Sequence, residues 1–207
     1  QRGKSAPPRR VLVYGTHGIG KTTFGAMAER PVFIQTEDGL AGVDTDRFPL
    51  AMRFGDVLNA LGELYTEEHD YRTVVVDSMD WLERLIHAEV CQKRSVESIE
   101  DIGYGKGYVF ALPLWREVLA GLDALRNERG MEVILVAHAQ IEKFANPETE
   151  TYDRYAPRLQ KLASALVQEW CDEVLFASYK VHTKQTDEGF ENTRTRGIGT
   201  GDRILRT

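Results

Sequence analysis

Eight consecutive residues, Gly15-Thr16-His17-Gly18-Ile19-Gly20-Lys21-Thr22, satisfy every fixed position of the spacing Gly-x-x-x-x-Gly-Lys-[Ser/Thr]. The chemistry explains the residue types. Glycines let the backbone curl so that successive N–H groups converge on an anion. A helix beginning near Lys21 adds the positive end of its dipole. Lys21 brings a point charge to the β- and γ-phosphates of a nucleoside triphosphate, and the Thr22 hydroxyl suits Mg²⁺. Thr23 carries the same loop into the helix. The context also fits, because the apolar run Val11-Leu12-Val13-Tyr14 precedes the loop and a helical pattern follows it.

A second oxygen ligand must share the metal. Thr73-Val74-Val75-Val76-Asp77-Ser78 is an apolar strand that ends in an acid, which makes Thr22 and Asp77 the candidate metal ligands. Hydrolysis also needs a base to orient water. Asp77 is followed by Ser78 rather than Glu, so the base must come from elsewhere. Glu37, just beyond the run Val32-Phe33-Ile34, is favoured over Asp38 and Asp80. A further strand ends in Val136-Ala137-His138-Ala139-Gln140. His138, or else Gln140, is placed to register the γ-phosphate. Lys21, Glu37, Asp77, His138 and Gln140 form the candidate catalytic set.

Positioning these groups takes alternating strands and helices. Strands are expected at Val11–Tyr14, Val32–Ile34, Thr73–Val76, Val133–Ala137 and Val174–Ala177. Helices are expected at Lys21–Glu29, at Asp56–Glu67 with Asp56 as its cap, and at Asp80–Lys93, Phe110–Asn127 and Leu159–Trp170. Strands apolar on both faces imply an α/β fold, a mainly parallel sheet flanked by helices. In a parallel sheet the strands' C-terminal ends face one crevice, which would gather Glu37, Asp77 and His138 beside the phosphate loop. Two polar stretches, Arg94–Gly107 and Glu142–Pro157, read as loop excursions. The glycine-rich end, with Gly189, Gly197, Gly199 and Gly201, reads as a region of short β-hairpins. The stripe Leu112, Trp115, Val118, Leu119 and Leu122 reads as core.

Composition narrows the class. With 207 residues, 42% hydrophobic and 28% charged, the chain has the makings of one globular domain. It divides into a basic N-terminal tail, residues 1–10, and a core, residues 11–207. No apolar run is long enough to span a membrane. Cys91 and Cys171 suggest neither a disulfide framework nor a zinc site, so a reducing cytoplasm is expected. No secretory leader is legible, and without an initiator Met the sequence reads as trimmed or as part of something longer. The net charge of −6 argues against a surface coated in basic charge. The cations concentrate at the ends: Arg2, Lys4, Arg9 and Arg10 at one, Arg194, Arg196, Arg203 and Arg206 at the other.

Taken together, these residues resemble the RecA-like P-loop ATPases along nearly the whole chain. The phosphate loop, Glu37, Val-Val-Val-Asp77-Ser78 and the polar end of the later strand fall in that family's order. The Tyr14-Gly15 start of the loop and Val136-Ala137-His138 look similar to phage nucleotide-binding proteins of the Sak type, which are single-strand annealing or recombinase-like. The resemblance implies an ATP- and Mg²⁺-dependent protein encoded by a phage or prophage. It would act in the cytoplasm of a bacterial host, bind single-stranded DNA, self-assemble into a ring or filament, and work beside a single-strand DNA-binding protein. Asp101–Gly107 falls where that family has its first DNA-binding loop, and Glu142–Pro157 where it has its second. The segment Arg94–Tyr108 offers Arg94, Tyr104, Lys106 and Tyr108 to nucleic acid, and the second loop Lys143 and Arg154, as cations next to aromatics that stack on bases. The family completes its site with a basic residue from a neighbouring subunit, for which Lys184, Arg194, Arg196 and Arg203 are the candidates. A nucleotide-gated helicase loader or regulatory module is the other reading. A small-molecule phosphotransferase fits less well, because no arginine-rich lid is legible.

Overall fold

The computed structural model of the chain describes residues 7–187 and 193–207. Arg2 and Lys4 lie outside the described residues. The elements run β1 (Arg10–Gly15), α1 (Lys21–Ala26), β2 (Pro31–Gln35), β3 (Asp46–Arg47), α2 (Phe54–Thr66), β4 (Thr73–Asp77), α3 (Met79–Arg94) and α4 (Lys106–Glu128). They continue with β5 (Glu132–Phe144), β6 (Tyr152–Pro157), α5 (Lys161–Trp170), β7 (Glu173–Asp187) and β8 (Thr193–Arg206). The sheet order is β3-β2-β4-β5-β1-β7-β8, with β6 paired to the outer half of β5. The pairs among β1, β2, β3, β4, β5 and β7 are parallel, while β5–β6 and β7–β8 are antiparallel. The mainly parallel α/β architecture is therefore the one the sequence implies.

Alternation along the strands explains the two layers of core. Leu12, Val74, Val76, Val133 and Leu135 face one side, where Trp115, Val118 and Leu122 of α4 and Leu82 and Ile86 of α3 cover them. Val13, Phe33, Val75, Ile134 and Val136 face the other side, against Ile19, Leu40 and Ala26. α2 buries Val57, Ala60, Leu61 and Leu64, a stripe at helical spacing. It meets α4 where Gly121 leaves room for Leu61.

Several boundaries differ from expectation, each for a local reason. α1 stops at Ala26, because Gly25 lies flat against Val75 and Phe33 and Pro31 already opens β2. Asp56 sits inside the first turn of α2 rather than before it, and its carboxylate accepts from the Met52 and Arg53 N–H groups. α4 begins at Lys106, four residues before Phe110, because Gly105 starts it in a left-handed conformation. Glu142–Pro157 is a β-hairpin, formed by β6 pairing with a lengthened β5, and not an open loop. β7 and β8 pair along nearly their whole length as one long hairpin rather than several short ones, and Gly189 lies outside the described residues. β3 was not legible at all, being a two-residue edge strand. At the N-terminus Arg10 lies in β1 and pairs with Asp172 and Asp123, while Arg9 pairs with Glu173.

Gly15 matters for space. A Cβ there would lie 2.3 Å from the Ala177 carbonyl oxygen on the adjacent strand. Gly15→Ala should therefore destabilise the fold by roughly 1–3 kcal/mol through overpacking. Gly39→Ala, whose Cβ meets nothing within 4 Å, serves as the comparison. Urea midpoints of the two variants check this, and equal midpoints would refute it.

Candidate functional site

Register brings the chemistry together. Gly15 pairs with His138, Gln35 with Asp77, and Asp77 with Val136, so the strand ends that carry the candidates share one edge of the sheet. The loop from Gly15 to Gly20 turns over this edge into α1. Gly18 and Gly20 hold φ angles of +73° and +100°, conformations that favour glycine.

Lys21 is buried, and its ammonium donates to the Gly15 and Thr16 carbonyls at 3.2 and 3.0 Å. The Thr22 hydroxyl donates to the Asp77 carboxylate at 2.7 Å. Burial pulls the Lys21 ammonium below its ordinary value, against the pull of Asp77, Asp80 and Glu37. Burial also pushes the Asp77 carboxyl up, which the Thr22 hydrogen bond opposes. Each charge is thus under-stabilised, and each would be relieved by the partner it faces: an anion at Lys21, a cation at Asp77. Hydroxyl and carboxylate oxygens suit a hard cation such as Mg²⁺. Among the described residues no cluster of three or more His, Cys, Asp or Glu side chains forms a metal site by itself. With a hydroxyl and one carboxylate from the chain, the rest of a Mg²⁺ shell would come from waters and phosphate oxygens, so the residues fit a metal–nucleotide.

Glu37 stands beside this pair. Its carboxylate accepts from the Ser78 hydroxyl at 3.0 Å, and its N–H approaches the Asp77 carbonyl at 3.3 Å. Thr36 and Ser78 lash the two strand ends together: the Thr36 hydroxyl donates to the Ser78 carbonyl at 2.6 Å and accepts from the Ser78 N–H at 2.9 Å. Neither Thr36 nor Ser78 was singled out from sequence, although each directly adjoins a candidate acid.

His138 lies between two carboxylates. Its Nδ1 is 3.1 Å from both Asp80 oxygens and 3.9 Å from Glu37. Asp80 also accepts from the His138 N–H and from Arg158. Burial alone would push the Asp80 carboxyl up, but the hydrogen bonds from His138 and Arg158 outweigh it and hold it well below the usual carboxylate range. Committed to these donors, Asp80 positions His138 and is a poor base. His17 stacks toward His138, ring centroids 6.2 Å apart. Gln140 turns away, its amide donating to the Leu159 carbonyl at 3.4 Å. Arg158 had no sequence signal.

The nucleic-acid candidates are dispersed. Arg94 covers the Phe110 ring at 3.9 Å, and the Tyr108 hydroxyl donates to Glu100 at 3.2 Å. Tyr104 is fully exposed just before Lys106, which starts α4. On the β5–β6 hairpin Arg154 pairs with Glu142 at 2.7 Å and stacks on Phe144, while Lys143 faces Asp153 in register. Among the candidates for a neighbour's cation, Lys184 and Arg196 pair in register toward the tip of the β7–β8 hairpin, with Arg194 beyond them. The side chains of these three lie outside the described residues. Arg203 is described, and lies against the phosphate loop of its own chain.

A family described as an AAA domain matches residues 7–206. The chain belongs to this AAA domain family. A curated relative, the SPbeta prophage-derived uncharacterized protein YorG of Bacillus subtilis (strain 168), is 26% identical over 141 residues. That alignment covers 64% of this chain and 42% of YorG, so the chain spans less than half of that relative's length. Among solved structures the RadB recombinase superposes with a TM-score of 0.51 at 15% identity, over 98% of this chain and 88% of that one. The fold is thus RecA-like, a P-loop ATPase architecture. No described helix is long and apolar enough to cross a membrane.

Glu83 offers a pH test of the neighbouring packing. Burial pushes its carboxyl up to about 7 from 4.5, although the Gln160 N–H donates to it at 2.9 Å. An acid raised on folding stabilises the fold fully below its unfolded value and loses that contribution as pH climbs through the folded one. Glu83→Gln removes the loss. The variant's urea midpoint should gain on wild type between about pH 5 and about pH 8. A constant difference across that range would contradict the assignment.

Proposed function

We propose that the protein binds ATP with Mg²⁺, hydrolyses it, and acts on single-stranded DNA in phage recombination, as Sak-type proteins do. The observation that carries the reading is the single edge on which Lys21, the Thr22–Asp77 pair and Glu37 meet. The prophage origin of YorG and the recombinase named in the RadB structure support the biological setting. The chain would be a core, residues 11–207, preceded by a basic tail, residues 1–10, working in a bacterial cytoplasm and assembling into a ring or filament. A single-strand DNA-binding protein would be a natural partner.

Thr22 and Asp77 would hold Mg²⁺, which when bound neutralises phosphate charge. Lys21 and the loop N–H groups would grip the phosphates. Glu37, held by Ser78, would accept a proton as water attacks the γ-phosphorus; the bond to the bridging oxygen breaks and ADP leaves. His138, fixed by Asp80, would sense the γ-phosphate. This keeps the base and the metal ligand as separate carboxylates at the ends of adjacent strands, Glu37 just past β2 and Asp77 closing β4, each with its own hydroxyl donor.

Single-stranded DNA is assigned first to the exposed tip at Tyr104 and Lys106. Arg94 and Arg154 already rest on aromatic rings within the chain. Stacking on an aromatic contributes about 1–3 kcal/mol per base.

Turnover should rise with single-stranded DNA and vanish in Lys21→Ala. Glu37→Gln should retain MgATP binding while turnover falls by about a hundred-fold or more, the scale of a lost general base. Low turnover that neither DNA nor Glu37→Gln changes would favour the nucleotide-gated loader or regulatory module. In a DNA titration Tyr104→Ala should weaken binding by roughly ten-fold, about 1.4 kcal/mol. Unaltered DNA affinity in that variant would remove the tip from the site.

A further inference from the structure

Beyond extending the sheet, the C-terminal hairpin touches the phosphate loop. Tyr179 of β7 and Arg203 of β8 are paired in register, and residues directly opposite project from the same face. Both reach the loop of their own chain. The Tyr179 hydroxyl donates to the Gly18 carbonyl at 3.4 Å. A Cβ built on Gly20 would lie 2.9 Å from an Arg203 guanidinium nitrogen. Gly20 is therefore bare where the guanidinium rests, and its φ of +100° reserves the position for glycine on separate grounds.

Gly20 immediately precedes Lys21 and starts α1, so its neighbourhood is the mouth of the anion cradle. Arg203, Gly20, Lys21 and Thr23 line one hollow between α1 and β8. Phe24 and Leu205 form its apolar side. Arg203 itself is exposed, which leaves its planar fork free to turn onto a ligand. A guanidinium recognises phosphate oxygens two at a time, which an ammonium cannot do.

The geometry points to Arg203 as a phosphate-binding cation that acts in cis, on the nucleotide held by its own loop. It is not supplied to a neighbouring subunit's site. The inference rests on the phosphate-loop reading and deepens it. Nucleotide and hairpin become one unit, because the strand that carries Arg203 closes on the phosphates and its partner strand steadies Gly18 through Tyr179. A subunit would then hold nucleotide with two close cations of its own, Lys21 and Arg203, before any assembly.

The test measures binding of a fluorescent ATP analogue with Mg²⁺, and ATP turnover, in wild type, Lys21→Ala, Arg203→Ala and Arg203→Lys. Loss of a charge-assisted contact should raise the Kd of Arg203→Ala about ten-fold or more. Arg203→Lys should fall between wild type and Arg203→Ala, a grading that a folding defect would not give. An equimolar mixture of Lys21→Ala and Arg203→Ala should recover no turnover, since neither chain carries both cations. Recovery in the mixture would overturn the cis assignment, because one intact site could then form between two chains. Wild-type affinity in Arg203→Ala, with binding lost in Lys21→Ala, would overturn the role of Arg203 and leave the phosphate-loop reading intact. Failure of wild type itself to bind would overturn that reading, and this inference with it.

Discussion

Hydrogen-bonded register among β2, β4, β5 and β1 decides which residues share the working edge of the sheet. Gly15 lies opposite His138 and Gln35 opposite Asp77, although these groups are far apart in sequence. Side chains alternate faces along a strand, so a slip of one residue would swing Val74 and Val76 from the α3–α4 side of the sheet to the side of Ile19 and Leu40, and displace Asp77 together with them. The apolar strands that fill the core therefore also aim the acid. The Thr36–Ser78 lash closes this edge from β2 to β4, and Glu37 inherits its position from it.

Electrostatics then holds the edge under tension. Lys21, Asp77 and Asp80 are all buried, and taking charge out of water is costly unless it is paired and hydrogen-bonded. Asp80 is fully served, by two groups of His138 and by Arg158. Among the described residues Lys21 has only carbonyls within hydrogen-bond reach, and the Asp77 carboxylate one hydroxyl. The unequal satisfaction separates their roles: Asp80 is a fixed strut for His138, while Lys21 and Asp77 are poised for ligands of opposite sign. Arg158 follows β6 directly, so the strut also ties the β5–β6 hairpin to the histidine that faces Glu37.

What the sequence made legible follows from how local each signal is. The phosphate loop was readable because loop, strand and helix are contiguous. The edge acids were readable because a parallel sheet must bring strand ends together. The Asp80–His138–Arg158 cluster was not, since its members come from α3, β5 and the turn after β6 and no spacing rule connects them. Glu142–Pro157 read as a loop because its charges mask the alternation of a strand; in the fold Glu142 meets Arg154 across the hairpin. Tyr155 is likewise an anchor, stacked on Phe176 with centroids 4.7 Å apart. The start of α4 was misplaced because Gly105 and Gly107 argue against helix by propensity. Gly107 is there for space, since a Cβ would meet the Ile99 carbonyl oxygen at 2.3 Å.

The distribution of charge bears on how a polyanion could be held by a chain of net −6. Counting cations overstates what is available. Arg9 and Arg10 are bound to Glu173 and Asp172, and Arg154 to Glu142. Using any of these for DNA would first break a pair, and exposed pairs of this kind contribute only about 0–1 kcal/mol each. Their acids would remain behind to repel phosphate. Cations next to exposed aromatics carry no such penalty, which is why Tyr104 and Lys106 outrank the hairpin despite its greater number of charges. The same reasoning applies to Arg203. Among the described residues no carboxylate pairs with the Arg203 guanidinium, which rests on a glycine of the phosphate loop, and its approach to a phosphate needs only a side-chain rotation.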